Sequence, residues 1–389
     1  MAGKNENGAG SIRQRANGSW EGRYSDGFDP ATGKQVQRSI YGKTKKEVRQ
    51  RLNIILTEIA NHTYTQPSKM TVSVWLSTWL KDYTENVKPF TKKAYDDRIR
   101  LHIIPAIGAI KLSALTPPMV QSFINNLSRE PKLLAPKTVK NIHGVLHRAL
   151  AQAVIIGYLP TNPASHCVLP RMVKPEIKVL ANDDLKTFIE AASKNKYKNI
   201  FLIDLFTGLR QSEILGLTWP CIDWENSRII VKAQLQREKK AGGKYYLTTL
   251  KNDKTRTICV APTVMELLRQ RKEFQEWERI AAHTAWFEDI PGLVFETPTG
   301  KHLSHTTVRN NFKKVVTEIG MSEVRFHDLR HSFAVACLQN GDDVKTVQGN
   351  LGHYTSSFTL DTYGHVTQKM ETESAQRMEQ YIQTYAPNR

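Results

Sequence analysis

Four short segments in the second half of the chain restrict the folds open to it. They are Thr207-Gly208-Leu209-Arg210-Gln211-Ser212-Glu213, His327-Asp328-Leu329-Arg330-His331, Leu351-Gly352-His353 and Thr362-Tyr363-Gly364-His365-Val366. Taken singly, each has a bland explanation. Arg210 could pair with Glu213 one helical turn on. His-x-x-Arg puts two side chains on one helical face by chance often enough, and a tyrosine near a helix end is commonly a packing residue. Taken together and in order, they supply two arginines, several histidines and one tyrosine, and a fold that uses them must gather all four segments.

Those residue types suit one chemistry. A phosphodiester repels nucleophiles because its non-bridging oxygens carry negative charge and gain more in the transition state. An arginine fork stays charged and aims two N–H donors at two phosphate oxygens. Donors placed in advance in this way contribute roughly 2.7–4 kcal/mol each in comparable oxyanion sites. Two forks can therefore do the work without a metal ion. A phenol, with an ordinary pKa of about 10, needs nearby cations or a base to lose its proton, and the histidines are candidates. A lysine is the natural proton donor to the departing 5′-hydroxyl.

The segments resemble the signature of the tyrosine recombinases, the phage and transposon integrase family, whose order is Arg, Lys, His-x-x-Arg, His or Trp, then Tyr. Arg210 stands in a box similar to T-G-x-R-x-S-E, His327 and Arg330 match His-x-x-Arg, His353 matches L-G-H, and Tyr363 matches T-x-x-x-Y-x-H-V. The resemblance implies Tyr363 as nucleophile, Arg210 and Arg330 as phosphate clamp, and His327 and His353 as aids to proton transfer. It also implies a lysine on a β-hairpin. Residues 248–260 read Thr-Thr-Leu-Lys-Asn-Asp-Lys-Thr-Arg-Thr-Ile-Cys-Val, with Asn252-Asp253 as turn chemistry between two β-rich runs. Lys251 is the first choice for general acid and Lys254 the second. Glu213 reads as a structural partner that orients Arg210.

Other clusters are set aside. His143 and His147 have metal-ligand spacing without the glutamate of a zincin, and read as a solvated pair. His302 and His305 flank a turn with no acidic partner in view. Cys167, Cys221, Cys259 and Cys337 are scattered, with no C-x-x-C, as expected of reduced thiols. No phosphate-binding glycine loop occurs. The expectation is therefore no metal site and no cofactor.

Charge is uneven along the chain. Residues 1–70 hold 12 basic and 6 acidic side chains, residues 71–174 hold 14 and 5, and residues 175–389 hold 29 and 26. The excess lies upstream of the four segments, as expected if the first half grips a phosphate backbone. The expected fold is multidomain. A small three-stranded sheet plus helix occupies residues 1–64, with Asn17-Gly18 as hairpin turn and Thr44 and Glu47 as a capping box ahead of a helix over Lys45–Ala60. An all-α four-helix segment fills residues 70–166, with helices over Val72–Val87, Thr91–Ile103, Thr116–Leu127 and Pro136–Gly157. Residues 177–389 form a mainly α (α+β) catalytic domain with one small sheet, ending in a detached helix over residues 367–385.

The resemblance makes the first module an arm-type DNA-binding domain, the second a core-binding domain, and the last helix a docking element for a neighbouring protomer. Outward Arg13, Arg15, Arg23, Lys34 and Arg38 on the sheet, and Lys92, Lys93, Lys137 and Lys140 near helix starts, are the expected backbone contacts. The expected activity is site-specific recombination of double-stranded DNA at core and arm sites. It would be carried out by a homo-tetramer in the bacterial cytoplasm at the nucleoid, away from any membrane. An excision factor and a host DNA-bending protein come into consideration because many relatives use them. A type IB topoisomerase-like enzyme and a non-catalytic architectural DNA-binding protein are the alternatives.

Overall fold

Asn17-Gly18 turns the chain between β1 (Ser11–Gln14) and β2 (Trp20–Phe28), with Gly18 at φ +79° and the Ser19 N–H donating to Asn17 Oδ1. With β3 (Gln35–Gly42) they form an antiparallel sheet in the order β1-β2-β3. The structure is a computed structural model that describes residues 10–28, 32–61, 69–173, 178–180, 183–238, 242–250, 254–352 and 367–385, with residues 367–374 as backbone only. Helix α1 (Lys45–Ala60) starts where expected, the Thr44 hydroxyl accepting from the Glu47 N–H. The capping box is displaced by one residue: the Glu47 carboxylate accepts from the Lys43 N–H instead of Thr44. Tyr24, Val48 and Leu52 are buried between sheet and helix.

The pleat separates the sheet arginines. Arg13 lies opposite Glu21, and Glu21 opposite Tyr41, so these share a face with Arg23 and Ser39. Arg38 pairs in register with the buried Tyr24 and so belongs to the other face, where it meets Asp26. Thus one outward arginine set does not exist.

Two tryptophans dominate the next module. Trp75 and Trp79, one turn apart on α2 (Val72–Asp82), are both buried, and the Trp75 indole N–H donates to Ala149 O at 2.9 Å. Helix α2 stops short of the expected Val87 because the Thr84 hydroxyl takes the Leu80 carbonyl that a further helical N–H would use. Pro89 then opens α3 (Pro89–Arg98). This helix continues through a π-type turn at Ile99–Ile103 into α4 (Ile104–Ile107). Pro105 has no N–H to give the preceding turn, and the Ile104 N–H reaches back to Ile99 O. α5 (Pro117–Leu127) and α6 (Pro136–Ile155) complete a helical core that includes Ile103, Phe123, Ile142 and Leu146.

The chain divides into two compact units, Met1–Lys174 and Pro175–Arg389. The second is built around α8 (Lys198–Thr207), buried nearly all round through Ile200, Phe201, Leu202, Ile203, Leu205 and Thr207. Helices α7 (Asp183–Ser193), α9 (Gln211–Leu215), α10 (Pro262–Ala282), α11 (His305–Glu318), α12 (Asp328–Gln339) and α13 (Val344–Leu351) belong to this unit, and α14 (Thr367–Tyr385) follows.

Two small sheets stand where one was expected. β4 (Ile222–Asp223), β5 (Arg228–Val231) and β8 (Arg256–Cys259) form one in the order β4-β5-β8, and β6 (Ala233–Arg237) pairs with β7 (Tyr245–Thr249) in the other. The expected hairpin between the β7 and β8 runs is therefore overturned. The chain leaves the first sheet at Lys232 and turns back near Gly242, at φ +67°. It pairs β7 with β6 before crossing to β8. β7 and β8 thus belong to different sheets. Among the described residues no helix is long and apolar enough to cross a membrane.

Candidate active site

The packed core delivers Arg210 directly. Helix α8 ends in Gly208, at φ +61°, whose N–H donates to Asp204 O at 2.8 Å. A side chain there would be strained by the backbone and would place its Cβ 2.5 Å from the Phe333 ring and 2.8 Å from a Leu351 methyl. Only glycine fits. Leu209 is buried next, and Arg210 caps the N-terminus of α9.

Glu213, one turn into α9, is 2 % exposed and holds Arg210 twice. Its carboxylate accepts from the Arg210 backbone N–H at 3.0 Å and from Nη1 at 2.6 Å. A second arginine completes the cluster: Arg256, on β8, donates Nη1 and Nη2 to the same carboxylate at 3.1 and 2.6 Å. Burial alone would raise the Glu213 carboxyl, but Arg256 and then Arg210 outweigh it and hold the group at about 2. Arg256 was not singled out from the sequence. Its signal was parity: it shares a strand face with buried Ile258, and an inward arginine requires a buried acceptor.

Helix α12 brings the second pair. Arg330 is 2 % exposed and donates Nη1 to Gly208 O at 2.6 Å and Nη2 to Leu351 O. His327 stands at the N-terminal end of α12 and packs edge-on against His331, ring centroids 5.1 Å apart. It keeps solvent contact. Even so, desolvation of the ring, then the charges of His331 and Arg330, push its pKa down to about 4, which leaves a neutral imidazole at pH 7. Asp204 lies fully buried nearby, neither carboxylate oxygen having a hydrogen-bond partner. Burial drives its pKa well up, against the opposing charge of Arg330.

The end of α13 joins these parts. Asn350 O accepts from Arg256 Nε at 2.8 Å, Leu351 O from Arg330, and Gly352 O from Arg210 Nη2 at 3.1 Å. Three successive carbonyls thus take three arginines. They are the groups a helix C-terminus leaves unpaired, at the negative end of its dipole. Two guanidiniums beside a neutral imidazole suit an anionic centre such as a phosphodiester. Lys251, His353 and Tyr363 lie outside the described residues, whereas Lys254 is exposed just ahead of β8.

Comparison with known proteins agrees with this geometry. Residues 178–370 match the Phage integrase family, and residues 71–128 match the phage integrase N-terminal SAM-like domain. A tyrosine recombinase XerC-like protein of Caldanaerobacter subterraneus is 28% identical over 362 residues, covering 89% of this chain and 92% of its own. The ICEBs1 integrase of Bacillus subtilis is 23% identical over 379 residues, 96% of this chain and all of its own. The chain is a tyrosine recombinase. Among solved structures, the Tn1549 transposon integrase in complex with a circular intermediate DNA superposes with a TM-score of 0.67 at 22% identity, over 80% of this chain and 100% of its own. A lambda integrase tetramer bound to a Holliday junction gives 0.53 at 20% identity, over 89% and 96%.

Elsewhere in the recombinase several expected contacts are already engaged. On the sheet, Arg13 and Arg23 grip Glu21 at 2.7 and 3.1 Å; Ser39 and Arg13 lead in holding that carboxyl at about 2. Arg15 lies 5.1 Å over the Tyr41 ring. Lys93 pairs with Asp96 and Asp97, and Lys92 reaches Lys81 O. Lys137 and Lys140 sit three apart in the first turns of α6.

The histidine clusters also differ from expectation. His143 Nε2 meets Ala164 O at 2.9 Å and His147 meets Ser165 Oγ, so the pair ties α6 to that turn instead of standing solvated. His302 does have an acidic partner, Asp289, brought in from across a loop. Among the described residues no group of three or more potential ligands could hold a metal. A cavity of about 620 Å³ lined by Tyr197, Arg271 and Glu296 includes none of the arginine cluster.

Proposed function

We propose that this recombinase cuts and rejoins duplex DNA of a mobile element through a 3′-phosphotyrosyl intermediate. Tyr363 Oη attacks the scissile phosphorus, the bond to the 5′-oxygen breaks, and Lys251 or Lys254 gives that oxygen its proton. The freed 5′-hydroxyl of a partner strand then reverses the step. Bonds broken and formed are alike, so no energy source is needed. Arg210 and Arg330 neutralise the phosphorane, while His327 and His353 hydrogen-bond it and relay protons.

The observation that carries this is the convergence of Arg210 and Arg330 on adjacent carbonyls, Gly352 and Leu351, with a neutral imidazole at the head of Arg330's own helix. The DNA complexes of the Tn1549 and lambda integrases support DNA as substrate, and the lambda tetramer supports a four-protomer assembly on two duplexes. The first unit would grip core and arm sites, with Lys137 and Lys140 as backbone contacts. An excision factor and a host bending protein would act as accessories.

The test begins with genomic DNA of the source organism, from which protein-linked fragments are trapped with detergent and their junctions sequenced. A nicked duplex built on that junction is then offered to the purified chain. A covalent adduct that disappears in Tyr363→Phe is expected; its persistence in that variant, or its absence in the wild type, refutes the proposal. Strand exchange between two duplexes supports recombination, whereas relaxation of one supercoiled circle alone would point to a topoisomerase.

A further inference from the structure

Arg256 has no part in the chemistry proposed above, yet it makes as many hydrogen bonds to the site's framework, three, as Arg210 does. Its side chain is 10% exposed. Nη1 and Nη2 occupy both oxygens of Glu213, and Nε occupies Asn350 O. Glu213 holds Arg210 from one side, and the Gly352 carbonyl, two residues beyond Asn350, holds it from the other. Arg256 is therefore bonded to one support of Arg210, Glu213, and to the same helix end that carries the other. It also sits against Gly352, where a Cβ would come 3.1 Å from Arg256 Cδ.

We propose that Arg256 is a positioning residue that sets the Arg210 guanidinium for the scissile phosphate, acting through Glu213 and the end of α13. This rests on the assignment of Arg210 to the phosphate clamp. A planar guanidinium can engage a carboxylate with two N–H groups while a third reaches a carbonyl at an angle. Lysine can make only one of these connections well. Without Arg256, Glu213 is free to follow Arg210, and the Asn350 carbonyl loses its donor. Displacing a clamp by about 1 Å costs on the order of 10²-fold in rate. Affinity for the site, spread over many contacts, should change little.

The experiment uses the full chain, with Arg256→Met and Arg256→Lys each made in the wild type and in Glu213→Gln. Single-turnover formation of the covalent adduct on the nicked duplex and the Kd for that duplex are both measured. In the wild-type background Arg256→Met is expected to slow cleavage roughly 10–100-fold, with Kd changed less than about threefold and Arg256→Lys intermediate. In the Glu213→Gln background the same change is expected to cost at least about threefold less than in the wild type, because the charged two-point connection through Glu213 is already lost and mainly the Asn350 bond remains to be cut.

Cleavage within twofold of wild type, a loss confined to Kd, or an equal factor in both backgrounds overturns the proposal. Should Arg256→Met fail to fold, the Arg256→Lys pair of measurements decides by the same criteria. If the wild type forms no adduct, it is the proposed function that fails; if the wild type cleaves and the Arg256 variants match it, only this inference does.

Discussion

Replacing Glu213 by glutamine separates the cost of the arginine cluster from everything around it. The carboxyl sits at about 2 in the folded protein against an ordinary value of 4.5. A depressed carboxyl contributes stability that is present above its unfolded pKa and lost as pH falls through its folded one. At 1.36 kcal/mol per unit, Glu213 contributes about 3 kcal/mol at pH 7 and, by the same linkage, about 1.4 kcal/mol at pH 3. The residue is 2 % exposed, so solvent screening removes little of this. Glutamine keeps the shape and one acceptor but leaves two guanidiniums without a counter-charge, a loss for which roughly 3–5 kcal/mol is typical. Urea unfolding of the full-length wild type and Glu213→Gln, at pH 7 and pH 3, gives the difference directly, since other titrating groups cancel between the two. The expected gap is about 3 kcal/mol at neutral pH, narrowing by about half at pH 3. A gap below about 1 kcal/mol at pH 7, or one that ignores pH, would refute the assignment of Glu213 as the buried counter-charge.

Asp204 carries the opposite sign. Its carboxyl is raised, so it weakens the fold as pH climbs toward the folded pKa, and Asp204→Asn is expected to raise the thermal midpoint, more at pH 8 than at pH 5. A midpoint lowered at pH 8 would show that the ionised form is needed. Gly208→Ala should destabilise the catalytic unit by at least about 1–2 kcal/mol through positive φ alone, and should abolish adduct formation by displacing Phe333 or Leu351. Retained wild-type cleavage would contradict this. With His327 already neutral above about pH 4, the acid limb of the cleavage rate should not fall near 6.5. A limb at that pH, removed by His327→Gln, would mean that the ring ionises as it does in water.

What was legible in the sequence divides along physical lines. Local periodicity placed α1, α5, α6 and α14 to within one or two residues, because each reads out through its own apolar spacing and its start signals. The same holds for the Thr44 cap and the Asn17-Gly18 hairpin. Strand partnership was not legible. The β5–β6 and β7–β8 stretches look continuous in composition, and the break at Lys232 with the return near Gly242 is decided by which strand β7 meets across the fold. The expected β7–β8 hairpin was therefore wrong although both strands exist.

The site shows the same boundary. Arg210, His327 and Arg330 stand in compact segments whose internal spacing carries their identity. Arg256 stands in the quoted stretch 248–260, but nothing within that stretch shows what its side chain meets. Its function as a support exists only because β8, α9 and the end of α13 meet, and those contacts join residues 43 and 94 positions apart. What could have been read was a constraint: an arginine in phase with Ile258 on a short strand must face inward, and somewhere in the chain a buried carboxylate must answer it. Glu213, already tied to Arg210 by helical spacing, was the available candidate. Alternation within a strand thus identifies a buried charge, and charge balance narrows its partner, before any contact is seen.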